Sequence, residues 1–202
     1  LVTDRRQCPE GALVERVEAA IAGGVSMVQL REKDLDGRPL RELAAALLRV
    51  CRRRDVPLLV NDRVDVALAA GADGVHLPGD SFRVAEARAL LGERALIGVS
   101  THAPEEVAAA AAEGADFAVF GPVFETPSKA AYGAPQGLER LGAAVRAASL
   151  PVLAIGGMTP ERATAARRIG AAGAAVVSAI LAAPDPAAAA REFVVARPPG
   201  KP

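Results

Sequence analysis

Short runs of apolar, often β-branched residues alternate along this chain with longer segments whose apolar side chains recur every three or four positions. The first kind of run suits a strand buried on both faces, and the second suits a helix laid against it. On this pattern strands are expected at residues 1–3, 25–30, 56–60, 74–77, 95–99, 117–120, 151–155 and 174–177. Helices are expected at about 11–22, 39–54, 63–70, 83–91, 104–114, 138–147 and 185–196, with a further one opened by Thr159-Pro160. Pro39 and Pro104 suit a first helical turn. The phrases Gly71-Ala72-Asp73-Gly74, Gly114-Ala115-Asp116 and Gly170-Ala171-Ala172-Gly173 recur before strands and read as helix-to-strand turns in which glycine forms the C-cap.

Eight strand–helix units imply a parallel sheet covered by helices, and in 202 residues they fit a compact (β/α)8 TIM barrel. One domain is expected over 1–202, with 197–202 as a tail. Leu1-Val2-Thr3-Asp4 reads as the end of a strand whose upstream residues are missing from this chain. An open doubly wound sheet is the competing architecture. The unit count and the absence of a GxGxxG run after the first strand weigh against it.

Composition narrows the function classes. Lys+Arg and Asp+Glu balance at 24 each, so no net field draws in nucleic acid or an anionic membrane, and any anion needs a local site. Scarce aromatics and abundant alanine suit helices packed closely on a sheet. Cys8 and Cys51 have neither metal-ligand nor redox spacing. No apolar run approaches the ~20 residues of a membrane span, and no basic-then-apolar leader opens the sequence. A soluble cytoplasmic protein acting on small molecules is expected, with a homo-oligomer left open.

In such a barrel the C-terminal strand ends share one rim, where active sites sit. The residues there are polar almost throughout: Gln29, Arg31 and Lys33; Asn61 and Asp62; His76, Asp80 and Ser81; Ser100, Thr101 and His102; Thr126, Ser128 and Lys129; Gly156 and Gly157; Ser178. Two anion sites separate within this set. Gly156-Gly157 and Val177-Ser178-Ala179 can offer backbone N–H groups to a phosphomonoester. Arg31 and Lys33, with Ser100 and the Thr126/Ser128/Lys129 loop, exceed what one monoester needs and suit a diphosphate. Taken singly, Arg31 or Lys33 reads equally as a solvated turn charge, and the long loop as a solvated surface segment. Asp62 reads as a magnesium ligand, as the cap of the third helix, or both. His76 reads as a packed, hydrogen-bonded histidine. His102 beside Ser100 supplies no Ser-His-Asp arrangement.

Several motifs together carry a resemblance. Gln29-Leu30-Arg31-Glu32-Lys33, Asn61-Asp62-Arg63-Val64-Asp65, Gly74-Val75-His76-Leu77, Gly98-Val99-Ser100-Thr101-His102, Gly121-Pro122-Val123-Phe124 with Thr126-Pro127-Ser128-Lys129, Ala154-Ile155-Gly156-Gly157 and Val177-Ser178-Ala179-Ile180 closely resemble the thiamine phosphate synthases, in the right order over nearly the whole chain. The resemblance implies a (β/α)8 barrel that uses Mg²⁺ to join hydroxymethylpyrimidine diphosphate to a thiazole phosphate, releasing pyrophosphate. It implies that Gln29 contacts the pyrimidine and that Arg31, Lys33, Asn61 and Lys129 hold the diphosphate. It further implies Asp62 on magnesium, Ser100, Thr126 and Ser128 as polar contacts, and Gly157 and Ser178 near the thiazole phosphate. The implied reaction proceeds through a pyrimidine methylene cation and needs no side-chain nucleophile, so electrostatics and alignment carry it.

The likeness has departures. The synthases usually carry a second magnesium aspartate where this chain has Ser81, with Asp80 adjacent. Pro78, Phe82 and Val123-Phe124-Glu125-Thr126 look more like the related thiazole tautomerases, which aromatise the thiazole phosphate tautomer. Yet the tautomerase histidine position is Pro122 here, as in synthases. A synthase is expected first, then a tautomerase, then a non-catalytic binder of thiazole or thiamine phosphate. Sugar-phosphate epimerases are disfavoured because two histidines supply few of their usual metal ligands.

Overall fold

The computed structural model describes residues 1–126 and 134–195. Seven parallel strands form one sheet in sequence order: β1 (Val28–Leu30), β2 (Leu58–Asn61), β3 (Gly74–Leu77), β4 (Leu96–Thr101), β5 (Phe117–Phe120), β6 (Val152–Ile155) and β7 (Gly173–Ala175). Helix α1 (Leu13–Ala22) precedes β1, and the helices between the strands are α2 (Gly37–Arg52), α3 (Val64–Ala70), α4 (Val84–Leu91), α5 (Pro104–Ala112), α6 (Gly137–Ala147) and α7 (Pro160–Arg168). The one-turn α8 (Ser178–Leu181) and α9 (Pro186–Val195) follow β7. Consecutive strand order with a helix after each strand is TIM-barrel-like, and a doubly wound sheet would instead reverse its order at a switch point. Among the described residues no helix is long and apolar enough to cross a membrane.

Eight strands are expected from the sequence, whereas seven form the ladder. Residues 1–3 make a single bridge, Val2 to Gln29. Val2 N–H also donates to Val176 O (2.8 Å) and Thr3 N–H to Gln29 O (2.9 Å), so this segment lies between β1 and the residue after β7. β1 starts at Val28, later than expected, because its register with β2 begins at the Val28–Leu58 pair. β4 runs on to Thr101, which places Ser100 inside a strand. The short α8 after β7 is not apparent in the hydrophobic pattern.

The strands are largely buried on both faces, as their apolar runs imply, but their two-residue period still sorts the side chains. Val28, Leu30, Leu58, Val60, Val75, Leu77 and Ile97 pack with α2 residues such as Leu40 and Leu47. Leu59, Phe117, Val119 and Ala175 cluster with Val2 on the opposite face. By parity Gln29, Asn61, His76 and Ser100 share this second face, and the His76 ring lies 5.9 Å from that of Phe117.

One of the recurrent glycines is a C-cap: Gly71, at φ 68°, donates its N–H to Ala67 O and Leu68 O at the end of α3, whereas Gly114 and Gly170 lie one residue beyond the caps of α5 and α7, Glu113 and Ile169. The aspartates of the same phrases have their own task. Asp73 accepts the Leu58 N–H (2.8 Å) and Asp116 the Ile97 N–H (2.7 Å), so each satisfies the starting strand beside its own.

Candidate functional site

Parallel strands bring all their C-terminal ends to one rim, and on the β1–β4 side the polar side chains meet in pairs. Gln29 Nε2 donates to Asn61 Oδ1 (3.0 Å). His76 Nε2 and Ser100 Oγ are 2.8 Å apart. Asp62 has a positive φ of 67°, a conformation aspartate tolerates better than most residues, and its N–H donates to His76 O (2.9 Å). Its carboxylate does not cap α3. Arg63 occupies that N-cap position without a side-chain cap bond, and Asp62 Oδ1 instead accepts from Ser81 Oγ (2.5 Å) across the rim. That explains why the expected helix-cap role fails: the positive φ turns the side chain towards the β3–α4 loop. Asp80 is exposed in the same loop.

The loop after β1 is braced by a residue that sequence reasoning passed over. Glu32 is buried (5% exposed) and accepts from Thr3 Oγ1 (2.7 Å), from Arg5 N (3.0 and 3.1 Å) and from Arg5 Nη1 (3.1 Å). Arg5 also forks onto Asp34 (2.7 and 2.9 Å), and Thr3 Oγ1 accepts the Arg31 N–H (2.9 Å). The only signal in the sequence was an acid between two cations, in a stretch that reads as a charged turn. With Glu32 turned to Thr3 and Arg5, neither Arg31 nor Lys33 forms an ion pair among the described residues. Their charges remain available to an anion.

The β5–β7 side is built from backbone. A cis Gly121-Pro122 bond leads out of β5, and Val123 N–H and Phe124 N–H donate to Ile155 O (2.8 Å) and Gly156 O (3.2 Å). Gly156 and Gly157 both have positive φ, 101° and 59°. A Cβ on Gly157 would lie 2.3 Å from Glu125 O, so only glycine fits this close approach. Arg162, from the first turn of α7, donates to Gly157 O (2.6 Å) while its guanidinium stacks over the Phe124 ring at 4.7 Å. Ser178 opens α8 one strand further on and is exposed. No hydrogen bond among the described residues uses the N–H of Gly157, Ser178 or Ala179. Thr126 is half-buried in the loop after β5, whereas Ser128 and Lys129 lie outside the described residues.

Electrostatics limits what this rim can do. His76 is 3% exposed, and burial, reinforced by the Arg31 charge, lowers its pKa from 6.5 to about 4. It is therefore neutral at physiological pH. His102 is exposed and donates its backbone N–H to Glu106 (2.7 Å), away from any nucleophile arrangement. Among the described residues no three His, Cys, Asp or Glu side chains converge on one point. What Asp62 and Ser81 offer is a carboxylate and a hydroxyl, an all-oxygen set. It fits a hard cation such as Mg²⁺, which keeps several waters and draws its remaining ligands from substrate phosphate.

Comparison with known proteins establishes the family. The family model described as thiamine monophosphate synthase (TMP-TENI) matches residues 1–180. A putative thiamine-phosphate synthase of Geobacter sulfurreducens is 53% identical over 199 residues, covering 98% of this chain and 93% of that protein. The thiamine-phosphate synthase of Roseiflexus castenholzii is 46% identical over 95% of this chain and 84% of its own. Among solved structures, a thiamine phosphate pyrophosphorylase from Pyrococcus furiosus superposes with a TM-score of 0.87 at 36% identity, covering 96% of this chain and 92% of that one. The chain belongs to the thiamine monophosphate synthase family.

Proposed function

We propose that this protein is a thiamine-phosphate synthase, a transferase that joins hydroxymethylpyrimidine diphosphate to a thiazole phosphate and releases pyrophosphate. The observation that carries the reading is the β1–β4 rim. There Gln29–Asn61, His76–Ser100 and Asp62–Ser81 pair off while Arg31 and Lys33 stay outside any ion pair among the described residues. Gln29 would contact the pyrimidine, and Asn61, which accepts from it, would join the groups that hold the diphosphate. Arg31, Lys33, Ser100 and Lys129 would take the diphosphate, with Thr126 and Ser128 completing its loop. The free N–H groups around Gly157 and Ser178 would hold the thiazole phosphate, as backbone donors do for monoesters.

Asp62 would hold Mg²⁺, with Ser81 beside it and Asp80 in the same loop as Ser81. When bound, the ion supplies positive charge to the departing diphosphate. The chain's own contribution is to fix two substrates in line and to stabilise leaving-group charge from a rigid rim. No nucleophile or acid–base group is needed, consistent with a buried, neutral His76. We also take Leu1–Thr3 as the eighth strand, closing the sheet between β1 and Val176 into a full single-domain barrel.

Mixing the protein with both substrates and Mg²⁺ should yield thiamine phosphate, and Asp62→Ala or Lys129→Ala should abolish it. No product at high enzyme would reject the synthase. Faster aromatisation of the thiazole tautomer alone would then favour the tautomerase that Phe82 and the Val123–Thr126 stretch resemble, against Pro122.

A further inference from the structure

His76 stands outside the ligand set described above, yet its surroundings are built to hold it. It is 3% exposed, its ring is tilted against Phe117 at 5.9 Å, and its Nε2 is 2.8 Å from Ser100 Oγ. Gly98 makes the room: a Cβ there would lie 2.2 Å from the Phe117 ring and 2.7 Å from His76 Nδ1. The register sets His76 beside Gly98, two residues before Ser100 on β4, so the imidazole reaches along the neighbouring strand to the hydroxyl.

A serine hydroxyl has one proton to give, and an anion can only accept. If Ser100 donated to His76, it would have no proton left for a diphosphate oxygen. If Nε2 carries the proton and donates to Ser100 Oγ, the hydroxyl hydrogen is released towards the rim, and the two bonds strengthen each other. Resting on the synthase reading, we propose that His76 is a positioning residue that holds Ser100 as a hydrogen-bond donor to the diphosphate, through an Nε2–H bond to Ser100 Oγ. It neither touches substrate nor moves a proton.

The test is a double-mutant cycle on binding of inorganic pyrophosphate with Mg²⁺, measured by calorimetry. His76→Phe and Ser100→Ala should each weaken binding about tenfold, and the double variant should be no weaker than either single one. His76→Gln, which keeps an N–H donor at the same reach, should restore binding to within about threefold of wild type. Losses that multiply in the double variant, or a His76→Gln variant as weak as His76→Phe, would overturn the proposal. Should His76→Phe fail to fold, the tautomer decides. The chain has two histidines, so ¹⁵N-histidine spectra with pyrophosphate bound should show Nε2–H for the buried one, and Nδ1–H would refute the idea. A wild type that shows the coupling and the Nε2–H form but makes no thiamine phosphate would overturn the synthase reading alone.

Discussion

The neutrality of His76 has a consequence for stability as well as for catalysis. Burial strips water from the imidazolium and Arg31 repels it, so the folded protein takes up that proton at about pH 4 and the unfolded chain near 6.5. As pH falls the unfolded chain is protonated first. The stability contribution is therefore whole above about pH 6.5, declines between 6.5 and 4, and levels off below, a loss of roughly 3 kcal/mol at most. Denaturant titrations at pH 7 and pH 4.5 should show a larger drop for wild type than for His76→Gln; equal drops would contradict the assignment. A packed, hydrogen-bonded histidine was legible from its place in an apolar strand. Its partner was not, because the reach from β3 to Ser100 depends on register, which local sequence does not set. Asp62 shows the same limit: a carboxylate after a strand suggests a cap, and only its positive φ turns it to Ser81.

At the scale of elements, both-face burial made the strands visible, while their ends were decided by pairing. The start of β1 at Val28 and the extension of β4 to Thr101 follow partners. Local signals worked where the chemistry is local: Thr159 does cap α7, accepting the Arg162 N–H (3.3 Å). The turn after β6 depends on both kinds of information. Its glycines announce an unusual backbone, but the neighbour that excludes a side chain, Glu125 O, comes from another loop. Gly157→Ala must shift that backbone and hold alanine at φ 59°, a cost of about 1 kcal/mol before the clash is counted. Under the synthase reading the KM for the thiazole phosphate should rise several-fold, with that for the pyrimidine diphosphate nearly unchanged. Steady-state kinetics with each substrate varied checks this, and equal rises in both would place the damage elsewhere.

Across the whole molecule, the first three residues tie β1 and the residue after β7 to the loop that carries Arg31. Val2 bonds to Val176, while the fully buried Thr3 donates to Glu32 and accepts from the Arg31 N–H. One threonine thus links sheet continuity to the position of a cation. Thr3→Val keeps the shape but leaves the Arg31 N–H without its acceptor and removes a donor from a buried carboxylate, costing about 1–3 kcal/mol. Because Arg5 still donates to Glu32, the brace should loosen without collapsing. Two changes should therefore appear together: a lower denaturation midpoint and a several-fold higher KM for the pyrimidine diphosphate. Thr3→Ser, which retains the hydroxyl, should recover most of both. Thr3→Val with a lowered midpoint but an unchanged KM would mean that Arg31 holds its place independently of this seam, and that any coupling from the N-terminal segment to the rim runs through other residues.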